Sequence, residues 1–444
     1  MQKSLFSVQQ TNGWEYEKFK MSKLGELHAI IPWATLESQL PDRAAKKGPT
    51  PYFSNRGMIA LMFLKHYTGL SDSKLIESIN HNTSHQLFCG MKLGNLELVR
   101  DTGIVSRVRS HLARHLDLEL FQQELAGCWK ADISHPNFMK MDATCFESHI
   151  RYPTDSKLLW ECCQWVYGRL FQMRKTLGIP LGKPKERYDE QKRKQLSYSR
   201  LQRKAHKKTG RRIKSLLHLL NRGSWLMIDL LKDERAKLLT GSGFYQRLDT
   251  VFRIHDQQKF LRENPGQKVK GRIVSLHKPY LRPIKRGKER KPNEFGAKVH
   301  MLQSDGLCII EHFDWDAFHE GKRLEASIEM HERLLAPCHQ LSADRAYASN
   351  GNRKHCTKMG IQTGFAGKGR KPPKPIRKLK AALNLERSTR LEGAFGNQKN
   401  NYLLARVKAR NASNEKLWIF FGVFTANAVW VSKKRKKTRL EMAA

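Results

Sequence analysis

Between residues 55 and 116 the apolar positions fall at helical spacing. Met58, Leu61, Met62 and Leu64 form a first run, Gly69 fits a helix stop, and Ser71 can cap a second helix from Asp72 to about Ile79. Leu70 and Leu75 are placed to staple that cap. A third segment, Ile104 to His115, sets Arg107, Arg109, His111 and Arg114 among Val105, Val108 and Leu112. Two helices around a short turn, followed by a basic helix, suit a helix-turn-helix-like DNA reader, and a small helical bundle shows the same pattern. From Phe138 to Phe146 the pattern becomes strand-like, with Asp142 in its middle. Ser156 to Thr176 returns to helical spacing through Leu159, Cys162, Val166, Leu170 and Met173, capped by Thr154 or Asp155. Helices are expected over Ile213 to Leu239 and Phe244 to Leu261. Strands are expected over Arg272 to His277, Gly296 to Gln303 and Leu307 to Phe313, with Ser304-Asp305-Gly306 as a hairpin signal. A helix from Arg323 to Leu335 leads to a short strand ending at Asp344. The proline-rich basic run Lys368 to Lys380 reads as an exposed loop, and a helix from about Leu385 to Leu404 carries Glu392. Ser413 is expected to cap a last helix with a stripe of Leu417, Phe420, Phe421, Phe424 and Ala428. No internal repeat of 20 to 50 residues is present.

Charge changes this picture more than any other property. The 444 residues carry 82 Lys or Arg against 41 Asp or Glu, a formal charge of +41 and a pI near 10.1. A polyanion, nucleic acid before a membrane surface, is the expected partner. Between Lys183 and Lys214, fourteen basic residues face three acids, interleaved with Tyr188, Tyr198 and His206. That stretch is either a solvated face or a phosphate-contacting arm, and Arg203, Lys207 and Arg211 lie in it. The length allows two or three domains, and 39% hydrophobic content suffices for real cores. No run of 18 apolar residues and no apolar core of signal-peptide type is present, so a cytosolic protein is expected. The eight cysteines form no Cys-x-x-Cys pair and read as reduced, mostly buried thiols rather than zinc ligands.

Within so basic a chain, three acids stand apart: Asp142 in KMDATCF, Asp344 in LSADRAY and Glu392 in RLEGAFGNQKNNY. A carboxylate in a half-buried strand is costly unless paired, hydrogen-bonded or bound to a cation. If the two strands are neighbours and the Glu392 helix crosses them, three carboxylates meet. That all-oxygen set suits Mg²⁺, with Mn²⁺ as substitute, rather than zinc. A pair of such ions about 3.5–4 Å apart can drive an in-line phosphodiester displacement. Helical spacing puts Glu392, Phe395, Gly396 and Lys399 on one face, so Lys399 stands where a cation could hold the DNA backbone. Taken singly, a strand aspartate more often caps a turn or forms an ion pair, and a helix glutamate is usually solvated. Asp314 and Asp316 follow a strand and could approach the site, Asp316 as a metal ligand, although turn or helix capping is the ordinary role for both, and His300, His312 and His319 read as structural or solvated.

Several blocks occur in an ordered series: Asp142-Ala143-Thr144, then IRYPTDSKLL (Ile150 to Leu159), Gly296 to Gln303, HFDWDAF (His312 to Phe318), ADRAYASNGNR (Ala343 to Arg353) and LEGAFGNQKNNY (Leu391 to Tyr402). In this series the chain resembles the DDE transposases of bacterial insertion sequences, the insertion-sequence-five group and its relatives above all. The stretch Tyr52 to Gly90 resembles that group's N-terminal domain. The resemblance implies a mixed α/β protein with an RNase H-like, retroviral-integrase-type core. A helical DNA-binding domain would span 1–135, the core 136–150 and 291–432, a helical basic insertion 151–290, and a basic tail 433–444. It implies that Asp142, Asp344 and Glu392 hold Mg²⁺, as a pair of ions, for DNA cleavage and strand transfer. Lys399, Arg390, Arg107, Arg109, Arg114, Arg203, Lys207 and Arg211 are the candidate DNA contacts. Terminal inverted repeats and target DNA would be the partners, with a dimer or higher oligomer as the active form in the bacterial cytoplasm, at the nucleoid. The related signature of Tyr, two residues, Arg, three residues, Glu, six residues, Lys is met here only by Glu392 and Lys399. Ser388 and Leu385 occupy the Arg and Tyr positions, and Arg387 and Arg390 are both out of register. A related nuclease without strand transfer, or an inactive basic DNA-binding protein, are the competing readings.

Overall fold

Apolar side chains collect into two separate cores, and the chain divides accordingly into two compact units: Met1–His149 with Gly296–Ala444, and Ile150–Phe295. The computed structural model describes residues 13–41, 51–94, 96–285, 292–367 and 373–443.

The strands are β1 (Phe138–Glu147), β2 (Pro283–Lys285), β3 (Asn293–Ser304), β4 (Leu307–Asp314), β5 (Gln340–Ser342) and β6 (Gln362–Thr363). In the first unit their order is β4-β3-β1-β5-β6. The β4–β3 and β3–β1 pairs are antiparallel, and the β1–β5 and β5–β6 pairs are parallel. The turn between β3 and β4 needs positive φ at both central residues, and Asp305 (49°) and Gly306 (115°) supply it. Gly306 also has no room for a side chain, because a Cβ there would lie 2.4 Å from Trp430 Nε1. The Leu324–Leu334 helix carries the chain from β4 across to β5. An antiparallel meander followed by a parallel crossover gives the mixed α/β, RNase H-like core that the resemblance implies. The fourth core strand stops earlier than expected, at Ser342, because Asp344 opens a 3-10 turn over Arg345–Tyr347 and accepts the Arg345 N–H at 2.5 Å.

The N-terminal helices form much as their sequence dictates. Ser54 accepts from Gly57 N–H at 3.0 Å to start Asn55–Thr68, Gly69 closes it at φ 68°, and Ser71 starts Asp72–His81. They do not keep a core of their own. The final helix, Ala412–Ala443, carries Phe421 and Phe424 against Phe63 and Phe121, with ring centroids 5.3 Å apart for Phe63–Phe421 and for Phe121–Phe424. Residues 433–443 are the continuation of that helix rather than a separate tail. Its N-terminal cap is Asn411, which accepts the Asn414 N–H at 2.9 Å, instead of Ser413.

In the second unit, helices Asp155–Thr176, Gly182–Arg200, His206–Leu230 and Phe244–Glu263 surround their own core. The basic stretch is therefore helical and packed. Arg212 is buried and joins its two helices, donating to Gln195 Oε1 (2.8 Å), Gln191 Oε1 (2.7 Å) and Gln191 O (3.0 Å). Tyr188 stacks between Trp160 and Tyr167. Arg272 to His277 is not a strand, since the buried Gln257 amide takes the hydrogen bonds a neighbouring strand would have made, to Ile273 N and O at 2.8 and 3.0 Å. The expected loop is shorter than its sequence suggests. Lys374–Glu386 is a helix with proline in its first turn, where a missing N–H costs nothing, and 368–372 lie outside the described residues.

Two buried histidines make the first unit sensitive to acid. Burial pushes His66 down to about 3 and His28 down to about 4, opposed at His66 by the Tyr402 carbonyl 3.0 Å away. Both are neutral in the fold and free to charge when unfolded. Stability is therefore complete above pH 6.5 and falls as pH drops towards those depressed values. At pH 5 each histidine lowers stability by about 2 kcal/mol, and His66→Gln should flatten a plot of denaturation midpoint against pH between 7 and 5.

Candidate active site

Register brings the two aspartates together. The β1–β5 pairing ends at Lys140 opposite Ser342, where β5 stops, and Asp344, two residues on, lies close enough for its charge to act on Asp142. Alternation then puts Lys140, Asp142, Thr144 and Phe146 on one face of β1. The segment from Glu386 to Lys399 covers that face in order. Glu386 meets Lys140 (3.7 Å), Arg387 NH1 donates to Asp142 Oδ2 (2.7 Å), and Lys399 Nζ donates to Thr144 Oγ1 (2.9 Å) and lies over the Phe146 ring. Glu392 sits between the last two, with Oε1 3.7 Å from Arg387 NH1.

Arg387 reaches this position through a change in helix type. Residues Arg387–Leu391 form a π-turn, in which the Glu392 N–H bonds to the Arg387 carbonyl five residues back. The wider turn puts a residue at spacing five where an ordinary helix would place one at spacing four. The arginine that looked out of register by one residue thus stands beside Glu392, while Leu385 is exposed and supplies nothing in place of the tyrosine. Arg390 points elsewhere, to Glu386 at 2.8 Å and Asp305 at 3.5 Å.

Burial pushes the Asp142 carboxyl up to about 6, the charges of Glu320 and Asp344 add to the rise, and the Ala143 N–H (2.8 Å) and Arg387 oppose it. Glu320 escaped the sequence reading because it lies in an irregular turn with no periodic context. It is brought in where Gly321 packs so tightly on the turn after Asp344 that a Cβ would lie 2.5 Å from Ala346 O. Lys298 pairs with Glu320 at 2.6 Å. Beneath the same turn a buried chain of polar groups holds Tyr347 in place. Its hydroxyl meets His300 Nε2 at 2.7 Å, His300 Nδ1 meets Glu311 Oε2 at 2.9 Å, and Glu311 pairs with Arg323. His300 is structural, as expected, and Asp314 accepts the Asp316 N–H at 2.9 Å in a turn.

Among the described residues no three His, Cys, Asp or Glu side chains are gathered closely enough to grip a metal ion. The cation between Asp142 and Glu392 is the Arg387 guanidinium. The donor set nonetheless fits a hard divalent ion: oxygens only, an aspartate whose charge is disfavoured by its surroundings, and Glu392 58% exposed and free to turn inward.

The basic residues singled out for DNA separate into two groups. Arg109 is a correction. It is 6% exposed, donates both contacts to Asp72 at 3.1 Å and lies over Trp418, so it braces the helices instead of facing DNA. Arg107 is exposed and paired with Asp101, and Arg114 is exposed. Arg203, Lys207 and Arg211 are exposed on the second unit.

Comparison with known proteins bears on the same segments. Residues 15–111 match the family described as a transposase domain (DUF772), and residues 341–424 match the transposase DDE domain. Over these two separate segments the chain is similar to DDE transposases. The second match contains Asp344, Arg387, Glu392 and Lys399, and β1 adds Asp142 to them by pairing with β5. An uncharacterized protein, ORF8 in the nfe locus of Rhizobium meliloti, is 26% identical over 146 residues, 32% of this chain and 70% of that protein. No solved structure matches the chain. No helix among the described residues is long and apolar enough to cross a membrane.

Proposed function

We propose that the chain is a transposase that binds the terminal inverted repeats of its own insertion sequence, hydrolyses DNA at their ends and directs the freed 3′-hydroxyl at target DNA. The observation that supports the reading is that the charge of Asp344, just past the end of β5, acts on Asp142 in β1, while Arg387 contacts both Asp142 and Glu392. Asp142, Asp344 and Glu392 would hold Mg²⁺ or Mn²⁺, as one ion or a pair, and the bound metal would activate the attacking oxygen and stabilise the leaving one. Lys399, fixed against Thr144, would hold the backbone beside the cut. Joining two ends to one target calls for a dimer or higher oligomer. The test is supercoiled plasmid carrying the element's ends, incubated with Mg²⁺ and target DNA. Strand-transfer products are expected, and nicked plasmid without any joined product would reduce the reading to a nuclease.

DNA contact draws support from one face of the His206–Leu230 helix. Lys207, Arg211, Lys214, His218, Arg222 and Trp225 are exposed at intervals of three and four residues, and the four Lys and Arg residues among them have no ion pair with a described residue. Such a stripe suits a phosphate backbone. Binding should weaken steeply with salt, the slope of log K against log salt falling by about 0.9 for each phosphate contact removed. Replacing Lys207, Arg211, Lys214 and Arg222 with Gln should flatten that slope by up to about 3.6 units, as read by a fluorescence-anisotropy titration.

A further inference from the structure

Arg387 occupies the place an arriving cation needs. Its NH1 lies 2.7 Å from Asp142 Oδ2 and 3.7 Å from Glu392 Oε1. The other Asp142 oxygen already accepts the Ala143 N–H at 2.8 Å, so both oxygens of the buried acid are engaged by N–H donors. The guanidinium is otherwise weakly tied, since its Nε has no hydrogen-bond partner among the described residues. What brings it here is the π-turn, a rare conformation that tends to occur at functional sites.

We propose that Arg387 is a built-in placeholder for the divalent cation: it bridges Asp142 and Glu392 in the metal-free protein and withdraws when an ion binds. The inference rests on the metal-site reading proposed above. A hard cation takes carboxylate oxygens at about 2.0–2.1 Å, and a guanidinium on the same oxygens both blocks that approach and repels the ion. Metal entry and the Arg387 contacts are therefore mutually exclusive. Until then the arginine offsets the repulsion between Asp142 and its acidic neighbours and keeps the Glu392 helix seated on β1. Once displaced, its planar fork stays at the rim of the site, where a DNA phosphate is the natural new partner. Arg387 is on this account a positioning residue, and its effect is on metal affinity first.

Mn²⁺ binding to the full chain, followed by the paramagnetic resonance of free Mn²⁺ and without DNA, tests this. Arg387→Gln should bind Mn²⁺ more tightly than wild type by roughly tenfold, a change of the size usual for groups that touch metal ligands. Arg387→Lys, which keeps the charge but not the fork or the reach, should fall between the two. Asp142→Asn and Glu392→Gln should bind more weakly than wild type. Equal or weaker binding by Arg387→Gln, with Asp142→Asn and Glu392→Gln weakened as expected, would overturn the placeholder and leave the metal site standing. Binding unchanged in Asp142→Asn and Glu392→Gln would sink both ideas together. Should Arg387→Gln fail to fold, Arg387→Lys decides alone, and binding no tighter than wild type refutes the proposal.

Discussion

Glu392→Gln is expected to lower Mg²⁺-dependent nicking by on the order of a thousandfold while leaving the protein folded and bound to DNA. The prediction is large in activity and small in stability for one geometric reason. Glu392 is 58% exposed and its one ion pair with a described residue is long, 3.7 Å to Arg387. Exposed pairs of that kind contribute about 0–1 kcal/mol, so the amide should shift the melting temperature by little. Asp142→Asn should be equally inactive, with only a small loss of stability, because relief of the buried charge offsets much of the weakened pairing with Arg387. Nicking that persists in both variants would mean that the acids are not catalytic.

The largest effect on stability should come from the aromatic stack that joins the N-terminal helices to the last helix. Phe421 is fully buried and touches Phe63, Phe121 and Phe424. Phe421→Ala leaves a cavity that three rings border and should cost about 3–5 kcal/mol. Because the N-terminal helices and the sheet share this core, one cooperative transition should shift as a whole for the first unit. A denaturant melt would check this, with near-ultraviolet circular dichroism and protection of the 341–424 segment from proteolysis as separate probes. A variant in which the two probes separate would show that the N-terminal helices fold on a core of their own.

Much of this was legible in the sequence because it is local. The cap at Ser71, the Gly69 stop, the Asp305-Gly306 turn and the strands over Gly296 to Gln303 and Leu307 to Phe313 each follow from a few neighbouring residues, and all of them form. What failed depended on distant partners. Arg272 to His277 has strand composition but no strand beside it, since Gln257 takes its hydrogen bonds. Arg109 reads as a DNA contact until Asp72 and Trp418 are brought to it by folding. At the site the three acids were visible as acids out of place in a basic chain, and the nearness of Asp142 to Asp344 comes from the β1–β5 pairing, which sequence spacing cannot give. Arg387 was visible as an arginine one residue out of position. Only the π-turn, a change of backbone rather than of sequence, explains why that position is the one that reaches Glu392.

The central claim is that Asp142, Asp344 and Glu392 converge on a divalent cation. The most direct measurement is anomalous diffraction from crystals of the full chain soaked in Mn²⁺. A Mn²⁺ peak between the Asp142 and Asp344 carboxylates, with Glu392 turned towards it and Arg387 displaced, is the predicted result. Well-bound Mn²⁺ elsewhere on the protein, with Arg387 still bridging Asp142 and Glu392, would contradict it.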